Sequence, residues 1–283
     1  MPRKLGILAG GGPLPVRLIQ SCRASGRQFL VAAFEDQTDP ETVDGVPHVW
    51  VRLGAAGTLL DRLREAGVED LVFAGHIRRP SLTALSPDAR AVALLARAGA
   101  RALGDDGILS AIIQELEERE GFRVIGPEAL LPDDLAPPGV YGAVEPDAAA
   151  LGDIERGIAA ARGIGALDIG QAAVVQQGLV LAVEAIEGTD AMLARCAGLR
   201  REGPGGVLVK MKKPGQEARA DLPTIGVGTV DAAAAAGLRG IAVEAHGALV
   251  IDRPAVARTA DAEGIFVIGV SVGVTGGSGD GEG

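Results

Sequence analysis

An α/β protein of two domains, with a Rossmann-like parallel sheet in its first half and a second α/β unit after it, is the fold this sequence predicts. Three observations predict it. Short apolar runs alternate with helix-length amphipathic segments through the first half, the rhythm of parallel strands crossed over by helices. Three glycines, Gly10 to Gly12, follow the first apolar run and precede a helical segment. The 283 residues exceed the usual size of one domain, and Leu131 to Gly139 crowds three prolines and a glycine into nine positions.

In order, the apolar run Leu5 to Ala9 predicts the first strand, Pro13 to Ala24 a helix and Phe29 to Phe34 the second strand. Gly57 to Ala66 reads as a helix and Leu71 to Ala74 as a strand. Helical spacing returns over Asp88 to Leu103 and Asp106 to Glu120, and Arg123 to Ile125 is a short strand. The linker expected at Leu131 to Gly139 sets the domains at 1–133 and 134–272, with a ligand cleft between them. The second half reads as helix Asp147 to Arg162, apolar runs Ala172 to Val175 and Leu179 to Ala185, and helix Thr189 to Ala197. An apolar strand then leads into a basic loop; helix Val230 to Gly237, strands Ile241 to Val243 and Ala248 to Ile251, helix Pro254 to Glu263 and strand Ile265 to Ile268 follow. The segment 273–283 is rich in glycine, serine and acid with little to bury, and disorder is expected there.

A formal charge of −10 argues against nucleic acid as a partner, because affinity for it grows from a basic surface that neutralises phosphates. Cys22 and Cys196 stand far apart with no metal-ligand spacing, which fits a reducing compartment. The first residues reach glycine too soon for a signal-peptide core, and no apolar run approaches the roughly 18 residues that span a bilayer. A cytoplasmic protein is expected, with peripheral contact at the inner face of the membrane left open.

Within this acidic chain, Val207 to Val209 runs into a loop carrying Lys210, Lys212, Lys213 and Arg219 around Asp221. Cations gathered at one carboxylate on a loop point to phosphate chemistry, and a solvated basic turn is the competing explanation. Gly10, Gly11 and Gly12 would let backbone amides approach a phosphate at a helix N-terminus. Pro15 stands where a dinucleotide fingerprint wants its third glycine, and no Walker lysine is present. Gly75, His76 and Arg79 follow another strand, where ligand crevices open, and Arg79 has the fork to take a phosphate. Gly104, Asp105 and Asp106 open a helix, as a cap or as a carboxylate pair reaching ribose or metal. Asp168 to Gln171 and Glu184 to Asp190 place polar groups just outside strands, Thr189 and Asp190 also being good caps. Arg90, Arg97 and Arg101 share one helical stripe, either solvated or facing anionic lipid.

Taken in order, Leu8-Ala-Gly-Gly-Gly12, Ala74-Gly75 with Arg79-Pro80, Gly104-Asp105-Asp106, Asp168-Ile-Gly-Gln171, Glu187-Gly-Thr-Asp190 and Lys213-Pro-x-Gln216-x-x-Arg219-x-Asp221-Leu-Pro-Thr-Ile-Gly226 resemble the LpxI family, UDP-2,3-diacylglucosamine pyrophosphatases of lipid A synthesis. The resemblance spans nearly the whole chain. It implies cleavage of UDP-2,3-diacylglucosamine to UMP and 2,3-diacylglucosamine 1-phosphate, dependence on Mg²⁺ and a homodimer. Its essential aspartate, in the Asp-Leu-Pro motif, carries over to Asp221; beside it, Lys210 and Lys213 of the basic loop are the catalytic candidates, and Asp221 is the candidate metal ligand. Substrate contacts are expected from the glycine loop, Gly75, Arg79, Gly104 to Asp106, Gln171, Thr189, Asp190, Gln216 and Arg219. The sequence departs from the family pattern at Gly226-Val-Gly228, where charged residues occur in some relatives, and at His76, where at least one has asparagine.

Pyrophosphate hydrolysis is slow because anionic oxygens repel the nucleophile, so lysine, arginine and amide groups are expected to neutralise charge while water is held in line. At an ordinary pKa of about 3.9 Asp221 is a weak base for water, and Mg²⁺ coordination suits it better. Two other functions fit parts of the sequence. A nicotinamide oxidoreductase would use the glycine turn and Glu35 or Asp36, and a non-catalytic nucleotide sensor would use the same two-domain plan.

Overall fold

The computed structural model describes residues 2–78, 85–98, 105–217, 219–220 and 222–272. In the first half, β1 (Leu5–Ala9), β2 (Phe29–Phe34), β3 (His48–Val51), β4 (Asp70–Ala74) and β5 (Arg123–Val124) form one sheet in the order 3-2-1-4-5, every pair parallel. Its helices are α1 (Pro13–Ser25), α2 (Ala56–Glu65), α3 (Ala89–Ala98) and α4 (Asp105–Glu118). Period-two alternation divides the core into two layers. Leu5, Ile7 and Ala9 of β1, with Val31 and Ala33 of β2, pack on Leu14 and Leu18 of α1. Leu8, Leu30, Ala32 and Phe34 face the other way, onto Leu60 and Leu63 of α2. Proline at the first position of α1 and the left-handed Gly26 at its end set the limits of that helix.

The second half is built on six strands in the order β6-β13-β11-β9-β7-β8. These are β6 (Gly139–Val140), β7 (Ala172–Gln176), β8 (Leu179–Val183), β9 (Val207–Lys210), β11 (Gly240–Glu244) and β13 (Phe266–Val270), while β10 (Thr224–Ile225) and β12 (Leu249–Val250) pair separately. The central strands β9, β11 and β13 are parallel, and β6, β7 and β8 run antiparallel to their neighbours. Helix α5 (Ala148–Ala166), capped by Asp147, covers one face through Ala150, Ile154 and Ala161. Gly157 lets it approach, since a methyl there would overlap Val209. Helices α6 (Gly188–Cys196), α7 (Val227–Ala235) and α8 (Arg253–Glu263) cover the other face.

The segment Leu131 to Gly139, expected as a linker, is packed between the halves. It runs through a short 3-10 turn at Pro132–Asp134, and Leu131 and Ala136 are buried. Asp134 is itself buried and takes Arg17 of α1 at 2.6 Å. Leu222, Leu249 and Ile251 join the core of the first half, so the two halves share one apolar boundary. Among the described residues no helix is long and apolar enough to cross a membrane. The segment 273–283 lies outside the described residues.

Candidate functional site

In a sheet ordered 3-2-1-4-5 the switch point lies between β1 and β4, and the crevice beyond those strand ends is where ligands of such folds bind. Here two glycine turns fill that position and are stitched together. The Gly10 amide donates to Ala74 O at 2.8 Å, the Gly11 amide to His76 O at 2.9 Å, and the His76 amide back to Gly11 O at 3.1 Å. Gly10, Gly11 and Gly75 are required by this approach: methyls at 10 and 75 would overlap the His76 and Gly11 carbonyls, and one at 11 would meet the His76 ring at 2.8 Å. Two of the three loop amides expected to face a phosphate therefore serve the turn itself. Pro13 and Pro15 remove two further donors from the first turn of α1, leaving Gly12, at φ 91°, as the cap.

A denser polar group sits at the C-terminal end of β9. Lys210 ends that strand and is 8% exposed; its Nζ donates to Thr189 Oγ at 3.0 Å and to Thr224 O at 3.2 Å. Thr189, in the first turn of α6, donates its hydroxyl to Glu184 Oε1 at 2.6 Å, and Glu184 Oε2 accepts the Gln171 amide at 3.1 Å. Antiparallel pairing of Ala172 with Lys210 brings those segments together. Lys213, 7% exposed, donates to Asp168 Oδ1 at 2.7 Å, and its amide donates to Gln216 Oε1 at 3.0 Å. Asp168 is held at φ 52°, a left-handed conformation that aspartate tolerates better than most residues. The Gln171 side-chain oxygen is buried without a partner among the described residues, an acceptor still to be satisfied.

The loop that follows Lys213 crosses to the first half. Arg219 is shared between Glu217 at 2.8 Å and Glu117 of α4 at 2.9 Å, and the Glu217 hydrogen bonds, then those of Glu117, raise its pKa. The same contact holds the Glu217 carboxyl below its ordinary value. Ala220 packs on the α2 and α4 side of the first sheet and Leu222 on the α1 side. Asp221, between them in sequence, lies outside the described residues, as do Arg79, Gly104 and the side chains of Asp105 and Asp106.

Gln171, Thr189, Lys210, Lys213 and Gln216 thus meet in one region, joined by Asp168 and Glu184. Asp190 is exposed on α6. Arg219 lies along the loop as a strap between the halves. The arginine stripe is neutralised: Arg90 pairs with Glu120 and Arg97 with Glu115, while Arg101 lies outside the described residues.

The LpxI N-terminal domain family matches residues 4–134 and the LpxI C-terminal domain family matches residues 137–268. This chain belongs to the LpxI family. A curated relative from Caulobacter vibrioides, named UDP-2,3-diacylglucosamine pyrophosphatase LpxI, is 47% identical over 275 residues, covering 95% of this chain and 98% of the relative.

In this LpxI chain, the sequence marked Glu184 only as a polar group just outside a strand; it did not show that its carboxylate takes the Thr189 hydroxyl, or that the Thr224 carbonyl accepts from Lys210. The available signal was weak: an acid directly after the apolar run of β8, with Gly188-Thr189 close behind. The Mg²⁺ implied by the resemblance can be tested against the donors present. Among the described residues no group of three or more His, Cys, Asp or Glu side chains could hold a metal. Mg²⁺ asks for only one or two carboxylates and completes its shell with water and substrate oxygens; Asp221, the aspartate expected to hold it, lies outside the described residues.

Proposed function

We propose that this protein hydrolyses the pyrophosphate bond of UDP-2,3-diacylglucosamine, giving UMP and 2,3-diacylglucosamine 1-phosphate for lipid A synthesis. The observation that carries this reading is the pair of nearly buried ammonium groups, Lys210 and Lys213, in a chain that matches end to end a relative named for this substrate. A nearly buried ammonium acts on phosphate oxygens with little screening by water. Water attacks one phosphorus, the bond from that phosphorus to the bridging oxygen breaks, and the departing phosphate keeps the electron pair. Lys210 and Lys213 oppose the charge that accumulates on the phosphoryl oxygens, and the Gln171 side-chain oxygen offers an acceptor to the nucleotide sugar. Asp221 holds Mg²⁺ or aligns the attacking water. Mg²⁺, when bound, supplies charge neutralisation on the diphosphate.

The deciding assay measures UMP released from UDP-2,3-diacylglucosamine, with unacylated UDP-sugar as control, before and after EDTA treatment and Mg²⁺ addition. UMP from the acylated substrate alone, lost with EDTA and restored by Mg²⁺, is the expected result; no UMP overturns the reading. Asp221→Ala is expected to abolish turnover in a folded protein. A homodimer and contact with the inner-membrane surface belong to the same proposal and are tested by sedimentation and by vesicle flotation.

A further inference from the structure

Lys210 has three donor hydrogens, and among the described residues two are placed: one on the Thr189 hydroxyl oxygen, one on the Thr224 carbonyl. Those two bonds fix the rotation of the ammonium and therefore the direction of its third N–H. The Thr224 carbonyl can only accept. The Thr189 hydroxyl could turn either way, and a hydroxyl hydrogen turned toward Lys210 would push the ammonium off.

Glu184 decides the matter. It is 6% exposed, and its Oε1 takes the Thr189 hydroxyl hydrogen at 2.6 Å, a length typical of a hydroxyl bonded to a carboxylate. That leaves only oxygen lone pairs facing Lys210. Its Oε2 is anchored by the Gln171 amide, and the adjoining backbone is held so closely that a methyl on Gly170 would overlap Glu184 O. The carboxylate is thus held on the Thr189 hydroxyl and the Gln171 amide rather than on Lys210 directly. Thr189, on α6, is an oriented acceptor between a carboxylate just beyond β8 and an ammonium at the end of β9.

We infer that Glu184 and Thr189 are positioning residues that act through Lys210, aiming its third N–H at a phosphoryl oxygen. Thr189 then serves the lysine rather than touching the substrate itself. This inference rests on the pyrophosphatase reading above, so its test separates the two.

The test is a mutant cycle on UMP release with Thr189→Val, which keeps the shape and loses the hydroxyl, and Lys210→Met. Thr189→Val is expected to lower kcat about tenfold or more with little change in KM, as loss of an aligned electrostatic donor does. Thr189→Ser is expected to recover most of that loss. In the Lys210→Met background, Thr189→Val is expected to cost less than about twofold, because a residue acting through another has nothing left to act on. Glu184→Gln is expected to lower kcat in the same way and to be equally silent beside Lys210→Met.

Losses that multiply in the double variants would overturn the inference, as would wild-type kcat for Thr189→Val. If Thr189→Val does not fold, the same comparison is made between Thr189→Ser and Thr189→Ala. Wild-type protein that releases no UMP instead refutes the substrate reading, and the cycle is then read on UDP affinity by calorimetry. Additive affinity losses, or no affinity for UDP, would overturn the inference there too.

Discussion

Lys213→Met gives the sharpest separation of structure from chemistry. The ammonium lies 2.7 Å from Asp168 Oδ1, with side-chain exposures of 7% and 25%. At that distance the gross attraction is about 6 kcal/mol for an effective dielectric of about 20, most of it offset by desolvation. Removing one partner of a fully buried pair costs about 3–5 kcal/mol, chiefly by stranding the other charge. Asp168 is a quarter exposed and can rehydrate, which brings the expected loss to about 2–3 kcal/mol, or roughly 5–10 °C in Tm for a chain of this size. If Lys213 also neutralises the diphosphate, kcat falls about 10²-fold or more. Asp168→Asn lowers Tm as well, but it leaves the ammonium in place and should keep turnover far closer to wild type. Thermal melts and UMP-release kinetics on both variants make the comparison. Turnover in Lys213→Met within about threefold of wild type would remove Lys213 from the chemistry, and a Tm change under about 1 °C would show the cost of the pair to be misjudged.

Gly75→Ala places a side chain at φ 84° and against Gly11 O, so a loss of at least about 1–2 kcal/mol is expected with displacement of the glycine loop; an unchanged melting curve would refute the close approach. Glu117→Gln unfastens one end of the Arg219 strap, and faster proteolysis within 213–222 is expected at unchanged secondary structure; unchanged cleavage would deny the strap its role. Asp70 is fully buried, which alone would raise its pKa, but hydrogen bonds and charge from Arg123 and then Arg27 outweigh burial and hold it below its ordinary value. A depressed folded pKa stabilises above the unfolded value of about 3.9 and loses that stabilisation as pH falls through the folded value. The Tm gap between wild type and Asp70→Asn should therefore be wide at pH 7 and close below about pH 4; a gap constant with pH would contradict this. Tyr141, the single tyrosine, donates to Pro137 O at 2.6 Å, and burial pushes its pKa up to about 12. Phenolate absorbance should stay flat through pH 10–11, where a free phenol titrates, and an ordinary midpoint near about pH 10 would show the ring to be solvated.

What could be read in advance followed from how local each signal is. Leu5 to Ala9 and Phe29 to Phe34 announce strands because burial on both faces demands unbroken apolar runs. β3, an edge strand on which His48 and Trp50 are both exposed, carries no such run and passed unseen. Leu131 to Gly139 is legible as the stretch between the two domains because its prolines and glycine are visible in sequence; its burial is not, since Leu131 enters one core and Ala136 another, each built by residues far along the chain. The site divides in the same way. Lysines crowded before Pro214-Gly215 are conspicuous, and so are three successive glycines, but sequence does not say which carbonyl an amide will face. Gly10 and Gly11 spend their donors on Ala74 and His76, a consequence of β1 and β4 lying side by side. Glu184 gains its meaning from the register of β7 against β9, which sets Ala172 beside Lys210 and so brings the residue before it, and the acid that holds that residue, within reach of the lysine. An arginine stripe likewise looks like a free cationic face until Glu115 and Glu120 of the neighbouring segment are seen to occupy it. Residue type announces what chemistry a side chain can do; pairing between distant strands decides whether it is free to do it, and that is why the lysines were legible and their aim was not.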